Sequence, residues 1–125
     1  MTYQDLSQVV ESKVSVFPGD PPVSVDPHAT IPADGYRVSA VECGSHTGTH
    51  VDAPSHTEAD GQNIDTIAVD RFALDAVRVD CRGLDPRSPI GPAALPATDA
   101  DLLVVQTGWD DYWGTEAYFD HPFLT

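Results

Sequence analysis

Eleven prolines in 125 residues divide this chain into short pieces. Proline locks φ and carries no N–H, so it interrupts helices and is kept out of central strands. The spacing therefore predicts short extended stretches punctuated by turns, without an internal repeat, in one α/β, β-rich domain over residues 1–125. Residues 3–7 form a candidate first strand, followed by the Pro18-Gly19 turn and a second strand over 23–26. In the strand expected over 36–43, Tyr36, Val38 and Ala40 fall on one face and Arg37, Ser39 and Val41 on the other. Residues 76–81 and 101–107 read as buried strands, the second nearly continuous in Leu and Val as parallel strands tend to be. A crossover with a short helix over 91–95 would join them as a βαβ unit. The tail over 109–119 has helix-compatible spacing. It gathers Trp109, Tyr112, Trp113 and Phe119 into an aromatic cluster, either a core under the strand end or a wall on which a substrate stacks.

Charge narrows the partners. Twenty Asp and Glu against six Lys and Arg leave a net charge of −14, and the cations, Lys13 and five arginines, are scattered. A groove for phosphates needs them clustered, so neither nucleic acid nor an anionic membrane is expected as a partner. The longest strongly apolar run, 102–105, is far short of the roughly 20 residues of a membrane span. The opening MTYQDLSQVV lacks a secretory pattern, so a cytoplasmic protein is expected. In that compartment Cys43 and Cys81 read as reduced thiols, Cys43 as a small buried side chain ending a strand. Sixteen of the twenty acids are Asp, spread along the chain with almost no lysine. Beside a plain solvated surface, this composition suggests a halophilic protein, for which a salt-rich cytoplasm screens the self-repulsion.

The chemistry is concentrated in CGSHTGTHVDAPSH, residues 43–56, where three of the five histidines fall within eleven residues beside Asp52. In an extended segment, residues of equal parity share a face, and His46, His50, Asp52 and His56 are all even. His50 and Asp52 lie roughly 7 Å apart along such a backbone, a span that two converging side chains close on one metal. His46 lies about 13 Å from His50 unless the chain bends, and Gly48 supplies a bend. A helix would also bring His46 and His50 to one face. Gly48, Pro54 and the β-branched Thr47, Thr49 and Val51 favour a turn followed by a short extended stretch.

Two imidazoles and a carboxylate suit Zn²⁺, with Mn²⁺ or Fe²⁺ as alternatives. An ion with an open position activates water and polarises a carbonyl, the chemistry of amide or ester hydrolysis. His56, past the Pro54 bend, suits general acid/base work beside the site. His28 and His121, each next to a proline, read as turn residues, as does the stretch Asp60-Gly61-Gln62-Asn63.

The run HTGTHVDAPSH resembles the His-x-Gly-Thr-His-x-Asp-x-Pro-x-His signature of the metal-dependent cyclase and kynurenine formamidase (arylformamidase) family. Asp5-Leu6-Ser7, Phe17-Pro18-Gly19-Asp20, Gln106-Thr107-Gly108-Trp109 and Tyr118-Phe119-Asp120-His121-Pro122 extend that resemblance in the family's order. It implies a β-rich domain of swivelling β/β/α type, assembled as a homo-oligomer, that hydrolyses a formamide, ester or lactone bond with a metal. Removal of the formyl group of N-formylkynurenine in tryptophan catabolism is the best-known such activity. The resemblance further implies His46, His50 and Asp52 as metal ligands, Asp52 able to bridge two ions, and His56 as the catalytic acid/base. Members of that family are longer, and their second half adds a His and a Glu to a two-ion site. The chain thus resembles the N-terminal portion, expected either to pair with a C-terminal half or to be an incomplete metal-binding and interaction fragment.

Overall fold

In the computed structural model, which describes residues 4–125, the prolines and glycines set the element lengths. Six short strands pair as three two-stranded sheets, with one four-residue α-helix and several 3₁₀ turns between them. The architecture is a mixture of strands and short helical turns.

Strand β1 (Ser24–Ala29) pairs antiparallel with β2 (Val38–Glu42), with Ser24 opposite Glu42. Pro27 offers no ladder donor, and the register shifts between Pro27 and Ala29. His28, expected in a turn, therefore sits exposed at this irregularity within a strand. The connection is α1 (Ile31–Asp34), with Pro32 in its first turn. The Thr30 N–H donates to the Asp34 carboxylate at 2.8 Å, and Gly35 ends the helix at φ 79°. The expected opening strand does not form over residues 4–7, and Tyr3 lies outside the described residues. There the Ser7 N–H donates to the Asp5 carboxylate at 2.9 Å, a local turn that competes with strand pairing.

Strand β3 (Ala76–Asp80) runs parallel to β5 (Leu102–Gln106), Ala76 opposite Leu102 and Asp80 opposite Gln106. The crossover between them is not helical as expected. It carries β4 (Pro89–Ile90), which pairs parallel with β6 (Phe123–Leu124), and a single 3₁₀ turn, Pro92–Ala94. Pro92 can start a turn, but Pro96 forces Leu95 into an extended conformation, so the turn cannot lengthen. Val79, Cys81 and Ile90 form the core of this region, and Leu95, Leu103 and Val105 pack against it. The opposite face of the pair stays open, Leu102 being 44% and Val104 37% exposed. The two strands are buried on one side alone.

The tail is not one helix. Gly114, at φ 81°, separates 3₁₀ turns at Trp109–Tyr112 and Glu116–Asp120. The aromatics divide accordingly. Trp109 is buried against Tyr112 at 5.0 Å, whereas Trp113 meets Tyr118 edge-on at 4.9 Å and Phe119 meets Phe17 at 6.2 Å. Cys81 is buried, but Cys43 is exposed just past β2, because every residue of that strand is exposed. Apolar side chains remain uncovered elsewhere too, Leu6, Val9 and Val69 each being more than 70% exposed.

Beyond the end of β3, the Arg82 guanidinium donates to Asp80 from Nε at 2.9 Å and Nη2 at 2.6 Å. With the Arg82 N–H, it holds the Asp80 carboxyl far below its ordinary 3.8. A carboxyl lowered in the folded state stabilises above its unfolded pKa, and that contribution is lost as pH falls through the folded value. Asp80→Asn should therefore lower the melting temperature modestly at neutral pH and flatten its fall below about pH 4. An unchanged melting curve at neutral pH would show that the pair contributes nothing.

Candidate metal centre

After β2 the backbone turns at Ser45 and His46, bends at Gly48 and Thr49 and continues without regular structure to Ala53, which is extended and leads into the 3₁₀ turn Pro54–His56. Gly48 has φ 62°, in the left-handed region that L side chains rarely adopt, and a Cβ there would press Val10 at 3.3 Å. The segment is tied down at its next residue, where the Gln8 N–H donates to the Thr49 hydroxyl at 2.9 Å. This reversal, and not a helix, brings His46 and His50 together.

Three atoms converge. His46 Nδ1 lies 3.1 Å from His50 Nε2 and 2.8 Å from Asp52 Oδ1, and His50 Nε2 lies 3.3 Å from the same oxygen. His50 Nδ1 is 3.0 Å from the Gly48 carbonyl, which only accepts, so the ring proton is on Nδ1 and Nε2 carries a free lone pair. The bend that joins the histidines thus also selects the tautomer able to bind a metal.

Donors about 2.0–2.1 Å from one tetrahedral ion stand about 3.3 Å from each other, and octahedral ones about 3.0 Å. The observed triangle matches one face of such a polyhedron. The His-His-Asp group is compatible with a metal site, and its side chains are about one-third to one-half exposed.

The ring of His56 lies 4.0 Å from that of His46, centroid to centroid, and is tilted by 43°. It stands beside the triangle without belonging to it. Its placement depends on a residue missed in the sequence. Gly61 folds onto the start of this turn so closely that a Cβ would lie 2.5 Å from the Pro54 carbonyl carbon and 2.6 Å from the Ser55 nitrogen. The Ser55 N–H donates to the Gln62 carbonyl at 3.2 Å. The turn expected at Asp60-Gly61-Gln62-Asn63 lies earlier, over residues 58–61, where the Gly61 N–H donates to the Glu58 carbonyl at 3.0 Å, and Gly61 and Gln62 clasp the segment carrying His56.

A cleft of about 150 Å³ adjoins the triangle. Its walls include His46, His50, Phe17, Trp113, Tyr118 and His121. Three of the five aromatics of residues 109–119, Trp113, Tyr118 and Phe119, therefore line the cleft beside the candidate site, while Trp109 is buried. His121, expected in a turn, is instead an extended residue that ends the 3₁₀ segment Glu116–Asp120, and it lines the cleft. His28 belongs neither to the cleft lining nor to the triangle.

The Cyclase family model ("Putative cyclase") matches residues 4–125, and the chain belongs to that family. It is 42% identical over 69 residues to a kynurenine formamidase of Delftia acidovorans, covering 54% of this chain and 33% of the relative. It is 30% identical over 82 residues to a kynurenine formamidase of Bacillus cytotoxicus, covering 65% and 39%. In fold it resembles an isatin hydrolase crystallised with the product analogue thioisatinate, with a TM-score of 0.80 at 24% identity over 98% of this chain and 59% of that one. The chain thus spans between a third and three-fifths of the proteins it matches. No helix among the described residues is long and apolar enough to cross a membrane.

The close approach of Gly61 yields a prediction. Gly61→Ala drives a methyl group into backbone that has no flexible end to yield, and it should cost about 1–3 kcal/mol in urea unfolding. Wild-type stability in this variant would show that the clasp is loose and that His56 is not held by it.

Proposed function

We propose that the chain carries the metal-holding part of a hydrolase that cleaves formamide, and more broadly amide, ester or lactone, bonds. Among these substrates the aryl formamide N-formylkynurenine ranks first, because both kynurenine formamidase relatives carry that activity in their names. The observation that supports the reading most is the triangle of His46 Nδ1, His50 Nε2 and Asp52 Oδ1, with edges of 2.8–3.3 Å. These three residues would hold Zn²⁺, with Mn²⁺ or Fe²⁺ as alternatives, and Asp52 has a second oxygen with which to reach another ion.

When bound, such an ion polarises a carbonyl and makes water acidic enough to serve as a nucleophile near neutral pH. The protein supplies the rest. Gly48 keeps His50 in the ligating tautomer through its carbonyl. Phe17, Trp113 and Tyr118 provide an apolar wall for the aryl group beside the triangle. Hydrolysis bonds the water oxygen to the formyl carbon and breaks the C–N bond, giving formate and the arylamine. His56, next to His46, takes the water's proton and returns it to the departing nitrogen.

A second reading has its own support. The cleft is smaller than the roughly 300–1,000 Å³ usual for small-molecule sites, and large apolar side chains lie uncovered. Both fit a site whose remaining wall comes from a C-terminal half or a second copy of the chain, in a fold of swivelling β/β/α type. Without that partner the chain would hold metal but turn over nothing.

Metal content by mass spectrometry, paired with N-formylkynurenine turnover, tests both readings. We expect at least one Zn²⁺-class ion per chain in wild type and a loss of most of it in His50→Ala, with any turnover lost in parallel. Metal without turnover would favour the incomplete half-site. Equal metal content in both proteins would overturn the site itself.

A further inference from the structure

His121 is the one wall residue whose placement is built from several directions and which no step of the proposed reaction uses. The Arg87 N–H donates to the Asp120 carbonyl at 2.7 Å, and the Arg87 side chain donates to the Asp120 carboxylate at 2.7 Å. Pro122 is buried, and the Phe123 N–H donates to the Ser88 carbonyl at 3.1 Å, where β6 begins its pairing with β4. His121 is thus gripped on both sides by the segment 87–90. Its ring packs 6.4 Å from that of Tyr118 and lines the cleft with His46 and His50, outside the metal-type triangle.

The hydrogen bonding of the ring fixes what it offers. His121 Nδ1 lies 2.8 Å from the Pro122 carbonyl, which only accepts, so Nδ1 carries the proton and donates it. Nε2 of the neutral ring is then a pure acceptor, and among the described residues it has no hydrogen-bond partner. His121 is an exposed residue of the wall it shares with Phe17, Trp113 and Tyr118, and an acceptor there is an orientation device. It rewards a ligand that brings an N–H to that point, and it leaves a polar atom unpaired when the ligand brings carbon.

We propose that His121 is a specificity-determining residue that accepts a hydrogen bond from an amino group on the aryl portion of the substrate, away from the bond being cleaved. The site would thereby select amino-substituted aryl amides over plain ones. The inference rests on the hydrolase reading above and names a substrate feature within it.

The test uses the full chain loaded with Zn²⁺ and compares formanilide with its 2-, 3- and 4-amino derivatives. Wild type should prefer at least one amino isomer in kcat/KM. His121→Phe, which keeps a ring against Tyr118, should reduce that preference about tenfold, mainly through KM, at unchanged metal content. His121→Gln, which restores an acceptor, should recover part of it. A preference that is the same in wild type and His121→Phe would overturn the assignment, as would equal treatment of all four substrates by wild type. Metal-loaded wild type that hydrolyses none of them would count against the hydrolase reading instead. Quenching of tryptophan fluorescence by aniline and the three diaminobenzenes then decides on His121 alone. Tighter binding of one diamine, abolished in His121→Phe, upholds the contact, and equal affinities overturn it.

Discussion

Three electron-rich atoms, two imidazole nitrogens and a carboxylate oxygen, meet at 2.8–3.3 Å in this protein. Such atoms repel one another unless a cation, a proton or a metal ion, sits among them. The surrounding backbone is arranged to impose that meeting. Gly48 reverses the chain, its carbonyl sets the His50 tautomer, and Thr49 ties the loop to the N-terminal segment. Neighbouring elements extend the same arrangement, Gly61 clasping the His56 turn and Arg87 gripping the segment of His121.

The packing that supports these loops is thin. Among the described residues the buried apolar side chains are Val23, Ala29, Val79, Cys81, Ile90, Trp109 and Pro122, and none of the large ones is fully enclosed. Two-stranded parallel sheets are ordinarily covered on both faces, yet Leu102 and Val104 face outward here. A fold that positions its ligands through local backbone geometry can keep a metal-type triangle even where its sheets are uncovered on one face. That division of labour is why the site is well formed while the strands around it are bare.

Much of the site was legible because its determinants are local. The even spacing of His46, His50, Asp52 and His56 and the glycine between the first two can be read within eleven residues. The parallel pairing of β3 with β5 was legible for a similar reason, a Leu and Val run long enough to read. What was not legible depends on contacts far apart in sequence. Gly61 looked like an ordinary turn glycine because its close approach to Pro54 appears only once the loop has closed. His121 looked like a turn residue because its place in the wall depends on segment 87–90. The helix expected over 91–95 stopped at one turn because Pro96 restricts Leu95. Cys43 is exposed because β2 has no covering layer, which the apolar alternation of that strand led one to expect.

The central claim is that His46, His50 and Asp52 bind one ion together. X-ray absorption at the zinc edge of the Zn²⁺-loaded chain reads that ligand set directly. We expect two imidazole nitrogens and carboxylate or water oxygens at about 2.0–2.1 Å, with one imidazole signature lost in His46→Ala. A shell of oxygen alone, unchanged by that substitution, would mean that the ion is held by scattered acidic side chains and would contradict it.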